Sequence, residues 1–227
     1  AFTREGAHSQ KRILYHEDIT GKEITRHLLE KVRQKKNVTL LENTPLVDLI
    51  VRGNVALGGV IKRNNQEEKV YAKKVVLAPG RDGSAWLTKV LSNQGLKLYN
   101  NQVDIGVRVE TSNIVMEEIN KNLYEGKFVY NTSVGTKVRT FCSNPSGHVV
   151  IENHSGTMLA NGHAYHDPKL GSKNTNFALL VSHTFSEPFN EPNEFAHEIS
   201  RLANKLSNGS VIVLLPRLIY PYLWTIT

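Results

Sequence analysis

The run Lys74-Val75-Val76-Leu77-Ala78-Pro79-Gly80 constrains this chain more than any other stretch. It is apolar without alternation and closes on glycine, the pattern of a strand buried on both faces of a parallel sheet. A chain carrying such a strand is expected to be at least partly α/β. The sequence before it is of another kind. Residues 45–51, 55–62 and 68–72 read as strands separated by Gly53-Asn54 and Asn64-Asn65-Gln66, so a small antiparallel meander is expected. Residues 38–41 are a further strand candidate. Residues 18–35 make the clearest helix. Thr20 and Glu23 have capping-box spacing, Ile24, Leu28, Leu29 and Val32 form one apolar stripe, and Lys and Arg fill the last turn. That stripe is expected to lie against a sheet. Residues 84–94 read as a helix with Trp86, Leu87, Val90 and Leu91 on one side.

The second half changes character. Residues 103–110 alternate as a strand and 116–123 form a short amphipathic helix. Strands are expected at 127–131, 137–142 and 148–153, with turns at Asn144-Pro145-Ser146-Gly147 and Ser155-Gly156. A strand at 177–184, a helix at 194–205 and a last strand at 211–215 complete a mixed α+β pattern. Hydrophobic residues at 40% and charged residues at 22% are ordinary for a globular chain. The charge of +7, from 28 Lys and Arg against 21 Asp and Glu, favours a small-molecule partner that is anionic. No basic run interleaves with aromatics, so no nucleic-acid partner is expected. The apolar stretch 210–227 is broken by Pro216, Arg217 and Pro221, whereas a membrane span needs about 20 apolar residues. It reads as a strand and tail, and no membrane partner is expected. The chain opens without a basic or apolar leader, and one cysteine, Cys142, excludes an intramolecular disulfide. Both point to a reducing, cytoplasmic setting.

Few residues stand out chemically. His163 and Tyr165 are the catalytic candidates, with His166 beside them, as acid/base or carboxylate-binding groups. Polar loop residues next to Gly162 and Pro168 would read the same way. His148, His154 and His163 lack a Cys or carboxylate partner at ligand spacing, so no metal site is expected. Cys142 follows Arg139 and is either an activated thiol or a buried strand residue. Arg108 and Glu110 fall on the same side of a strand and are expected to pair. Gly80 ends a strand at the edge where α/β sheets place ligands and lets a cofactor approach; a plain strand-to-helix turn would use the same glycine. The segment ahead of residue 18 carries His and cations with no apolar period, which marks a functional loop.

Residues 3–78 resemble the succinate dehydrogenase, fumarate reductase and L-aspartate oxidase flavoprotein family, its L-aspartate oxidase branch most closely. The resemblance rests on Thr3-Arg4-Glu5-Gly6, His8-Ser9, Arg12-Ile13-Leu14, Asp18, Thr20-Gly21, Val47-Asp48-Leu49-Ile50 and Val75-Val76-Leu77-Ala78. From about residue 75 to 213 the chain resembles bacterial NAD(FAD)-utilizing dehydrogenases. The motifs there are Leu77-Ala78-Pro79-Gly80-Arg81, the run 103–110, Arg139-Thr140-Phe141-Cys142, the run 149–153, Asn161-Gly162-His163 and the run 174–181. The two meet at the strand ending Ala-x-Gly, as in a hybrid joined there.

The resemblance implies an FAD-dependent oxidoreductase, or an internal portion of one. The fold it implies is part of a two-dinucleotide-binding, Rossmann-like FAD domain over 1–100 with the meander, a mixed α+β substrate or cap domain over 101–209, and the apolar strand and tail over 210–227. FAD contacts are implied for His8, Ser9, Arg12, Leu46, Val47, Ala78, Gly80 and Arg81. The backbone at Leu46 and Val47 would face the adenine, and Arg4, Arg12 and Arg81 would balance flavin or substrate charge. Two departures bear on this. No Gly-x-Gly-x-x-Gly loop for the pyrophosphate occurs in the sequence. The His-Pro-Thr and Arg-Gly-Glu-Gly segments that carry substrate chemistry in aspartate oxidases are also missing. A catalytically silent fragment or binding module is the competing expectation.

Overall fold

In the computed structural model, which describes residues 2–3, 9–80, 82–186, 188–189, 191–211 and 213–214, the chain begins with an antiparallel pair. Strand β1 (Phe2–Thr3) lies beside β2 (Ile13–Leu14). Helix α1 (Thr20–Arg33) follows. The Thr20 hydroxyl accepts from the His16 N–H at 2.9 Å, while the Glu23 N–H donates to the Ile19 carbonyl at 3.0 Å. The hydroxyl therefore serves the loop before the helix rather than the first helical turn. No residue of α1 is buried: Ile24 and Leu28 stay more than half exposed, Leu29 and Val32 are half-buried, and among the described residues the expected close packing of the stripe on a sheet is not found.

By contacts the chain divides into a unit of residues 24–99 and a unit that joins 1–23 to 100–227. The first holds the meander β3 (Leu46–Arg52), β4 (Val55–Arg63) and β5 (Gln66–Tyr71), in the order β3-β4-β5. Asn64 and Asn65 both take positive φ, the geometry that matches the twist of a two-residue hairpin. Helix α2 (Ser84–Asn93) buries Val90 and half-buries Trp86, Leu87 and Leu91. It ends at Gly95 with φ +71°, and the Leu96 N–H returns to the Leu91 carbonyl at 3.1 Å, the closing bond of a Schellman motif.

Two strand expectations fail in this unit. Residues 38–41 run without a ladder partner. Residues 74–79 also form no strand, and Val76 is 88% exposed. A strand buried on both faces needs a neighbour along its backbone edges. Among the described residues, no strand pairs with this run.

The second unit is built on a five-stranded sheet of order β12-β6-β11-β8-β7. Its members are β6 (Val103–Ser112), β7 (Val129–Asn131), β8 (Lys137–Asn144), β11 (Asn174–His183) and β12 (Val213–Leu214). Helix α3 (Glu117–Asn122) lies between β6 and β7 in the chain. β12 joins β6 in parallel, and the expected strand residue Leu215 lies outside the described residues with the rest of the tail. A separate hairpin pairs β9 (His148–His154) with β10 (Thr157–His163). Its turn, Ser155-Gly156, again has positive φ at both residues. Helix α4 (Pro192–Leu206) packs on β10 through Asn204. That amide accepts from the Met158 N–H and donates to the Met158 and Ser210 carbonyls, all at 2.7–2.8 Å. It stands in for a strand's backbone.

The interior of this unit is polar. Arg108, Thr140, Ser143, Asn144, Thr157, Thr175 and Asn176 are buried, beside the apolar Val109 and Met116. The Arg108 guanidinium donates to Asn176 Oδ1 through Nε at 2.9 Å and Nη2 at 2.6 Å, and to the Cys142 carbonyl at 2.8 Å. Its partner is thus Asn176, two residues along β11 from its register partner Ala178, and not Glu110. Gly162 is indispensable here: a Cβ would stand 1.8 Å from Arg108 Nη2 and 2.3 Å from both Asn144 Nδ2 and Asn176 Oδ1. Gly162→Ala must break part of this network. We expect it to cost about 2–3 kcal/mol, read as a lower midpoint in denaturant unfolding followed by circular dichroism.

Candidate functional site

Cross-strand pairing places His163 of β10 opposite His148 of β9. Tyr165, two residues past the strand, turns its ring between the two imidazoles. Its centroid is 4.6 Å from that of His163, nearly perpendicular, and 5.8 Å from that of His148. The His148 ring is fixed in turn by Nε2 against the Leu170 carbonyl at 2.9 Å. Tyr165 and His148 are exposed and His163 half-buried, so the cluster opens to solvent. Edge-to-face rings of this kind hold one another's orientation.

A second contact joins the N-terminal segment to the same loop. The His166 N–H donates to Asp18 Oδ1 at 2.6 Å, and the His166 ring lies 5.9 Å from that of Tyr15. Residues 15–18 and 163–166 therefore form one surface of phenol, imidazole and carboxylate groups. Imidazoles exchange protons near neutral pH, and a phenol can donate to an oxygen. The site continues inward: Gly162, adjacent to His163, closes over the Arg108–Asn176 network.

Sequence reasoning named His163, Tyr165 and His166, and the structure brings them together. It did not single out the parts of His148, Tyr15 and Asp18 in the cluster. For His148 the usable signal was the Ser155-Gly156 turn, which fixes the register that sets 148 opposite 163.

The implied cofactor residues lie in several places. Ser9 and Arg12 meet, with Arg12 Nη2 donating to Ser9 Oγ at 3.1 Å, and both are exposed. Leu46 pairs with Ile61 in the outer strand β3, while Val47 sits at a register shift. The Val47 carbonyl accepts from the Trp86 indole N–H at 3.1 Å. Ala78 and Gly80 are exposed, and Gly80 has φ +70° with nothing within 4 Å of where a Cβ would stand. His8, Arg81 and Arg4 lie outside the described residues.

Residues 1–102 match the family model described as FAD binding domain. Residues 1–102 are FAD-binding-domain sequence. The curated relatives matched are L-aspartate oxidases. That of Clostridium perfringens is 38% identical over 107 residues, covering 47% of this chain and 24% of its own length. That of Clostridium acetobutylicum is 37% identical over 93 residues, 41% of this chain and 21% of its own. That of Saccharolobus solfataricus is 40% identical over 89 residues, 39% of this chain and 17% of its own. The chain thus spans about a quarter or less of the length of these relatives. The cofactor of the FAD-binding segment is FAD, and the architecture around it is mixed α/β with several antiparallel sheets.

Asp18 is the residue of the FAD-binding segment whose hydrogen bond reaches the Tyr165 loop. Asp18→Ala removes an exposed charge-assisted bond worth about 1 kcal/mol. We expect the His166 amide to exchange hydrogen roughly fivefold faster, read by hydrogen–deuterium exchange, with the exchange of β6 amides unchanged.

Proposed function

We propose that the chain is a portion of an FAD-dependent oxidoreductase in which residues 101–209 act as a substrate or cap domain. The match of residues 1–102 to the FAD-binding-domain family carries this reading. FAD, when bound, supplies the electron or hydride chemistry, and the protein supplies positioning and electrostatics. Ser9 and Arg12 hold the anionic part of the cofactor by charge-assisted bonds. The backbone of Leu46 and Val47 lies along the adenine, and Ala78 and Gly80 give the close approach that a side chain would block, in a Rossmann-like arrangement. His8 and Arg81 complete this set.

His163 and Tyr165 hold and move a proton on the substrate side, with His148 fixing the phenol between the imidazoles. The substrate is a small anion, in keeping with the net charge of +7. Residues 75–213 resemble NAD(FAD)-utilizing dehydrogenases, so the substrate need not be aspartate. A reducing, cytoplasmic setting suits a chain with the single free cysteine Cys142.

A second reading has one specific observation behind it. The sequence contains no Gly-x-Gly-x-x-Gly loop, so a catalytically silent module that does not retain the cofactor is the alternative. Desalting the purified chain after incubation with FAD separates the two. Retained visible flavin absorbance, reduced severalfold in Arg12→Ala, is the expected result. Absence of flavin in both proteins would establish the silent module.

A further inference from the structure

At one end of the five-stranded sheet lies a cavity of about 570 Å³, lined by Gln102, Thr136, Lys137, Arg139, Ser182 and His183, with Gly135 and Val181. The register explains why these side chains converge. Asp104 of β6 stands opposite Ser182 of β11. Arg139 of β8 stands opposite Leu180, and Val138 opposite Val181, which sets Lys137 beside Ser182. Positions 104, 137, 139 and 182 therefore share one face of the sheet.

The charges on that face are not balanced. The only carboxylate of the set, Asp104, is fully engaged: Oδ2 accepts from Arg139 at 2.5 Å and Oδ1 from the Ser182 hydroxyl at 2.5 Å. Arg139 is further fixed over the Phe141 ring, 5.4 Å from its centroid. Asp104 thus neutralises one cation and locks its fork in place, and Arg139 keeps donors that no described residue takes. Lys137 makes no ion pair among the described residues, and the imidazole of His183 contacts the Phe185 ring. Two cations, an imidazole, two hydroxyls and an amide line a space large enough for a small metabolite. No residue of the Tyr165 cluster belongs to it.

We propose that this cavity binds a small anion through a carboxylate or phosphate group, with Lys137 and Arg139 as its charged contacts. Arg139 offers a pre-set planar fork and Lys137 a mobile point charge, a combination suited to an oxyanion with two or three exposed oxygens. The proposal stands on this unit alone and is independent of the flavin reading.

The test is an amide-resolved NMR titration of the isotopically labelled full chain. Sodium succinate and inorganic phosphate are added in separate arms, at constant ionic strength set with sodium chloride. We expect saturable shifts centred on Thr136, Lys137, Arg139, Ser182 and His183. Saturation in the succinate arm alone assigns a carboxylate ligand, in the phosphate arm alone a phosphate ligand, and in both a general oxyanion site. Lys137→Gln, which leaves the Asp104–Arg139 pair intact, should weaken binding about tenfold. Asp104→Asn removes the opposing charge and should tighten it severalfold, a gain that a purely structural role would not produce. Binding of neither anion overturns the proposal. Equal affinity in the parent, Lys137→Gln and Asp104→Asn proteins, or shifts centred elsewhere, does so as well.

Discussion

A guanidinium that is 4% exposed costs several kcal/mol unless its donors are met, and Arg108 meets them with a side-chain amide and a backbone carbonyl rather than with a carboxylate. The carbonyl is available because Cys142 takes φ +50° at the register shift of β8 against β11. The bulge turns its C=O toward Arg108 and its N–H toward Glu125 Oε1, at 2.8 Å. Strands β6, β8 and β11 are thereby tied by one side chain. Bulge, arginine and asparagine need each other: without the bulge Arg108 loses an acceptor, and without Arg108 Asn176 Oδ1 loses its donors while the Cys142 carbonyl keeps only Asn144 Nδ2.

The same network sets the position of the candidate site. Gly162 lies over Arg108, Asn144 and Asn176, and that contact fixes the end of β10 against the sheet. His163 is the next residue, so the rings of His163, Tyr165 and His148 inherit their placement from a packed polar interior. Asn113 and Thr175 extend the principle toward α3. The Thr175 hydroxyl donates to Asn113 Oδ1 at 2.7 Å and accepts from Asn120 Nδ2 at 2.8 Å. A largely hydrogen-bonded polar core, in which Ser143 Oγ and Asn176 Nδ2 are left without a partner among the described residues, tolerates little rearrangement, since each bonded member shifted leaves another unbonded. That rigidity suits a surface whose task is to hold rings in order.

What the sequence discloses depends on whether the cause is local. The meander β3–β5, helix α2 and helix α4 follow from turn residues and apolar spacing within each segment, and they are found where the pattern puts them. The hairpin partner β10 is harder to read. Its sequence Thr-Met-Leu-Ala-Asn-Gly-His is nearly half polar and carries little strand propensity. Arg108 shows the limit directly. Alternation correctly puts it on the same face as Glu110, yet its partner comes from a strand 68 residues away and is an asparagine. Nothing within β6 signals a left-handed cysteine in β8. In the candidate site, His163 and Tyr165 are near neighbours in sequence and could be named together, whereas Asp18 meets His166 across 148 residues.

The run 74–80 fails for the complementary reason. Its composition records an environment, not a conformation. Ordering a residue costs about 1–2 kcal/mol in backbone entropy, and burying Val75, Val76 or Leu77 returns about 1.5–3 kcal/mol each only when something covers it. With β5 ending the sheet of its own unit and no ladder partner among the described residues, the run gains no ladder hydrogen bonds and only the half-burial of Val75 and Leu77. The exposed stripe of α1, with Ile24 and Leu28, is the helical counterpart of the same unmet requirement. Ala78 and Gly80 sit on this run, so the geometry they would present in the proposed flavin contact is coupled to whether the strand is paired. A neighbouring strand would fix the direction of the chain into Gly80, and the positive φ already found there is the part of that arrangement the residue can hold by itself.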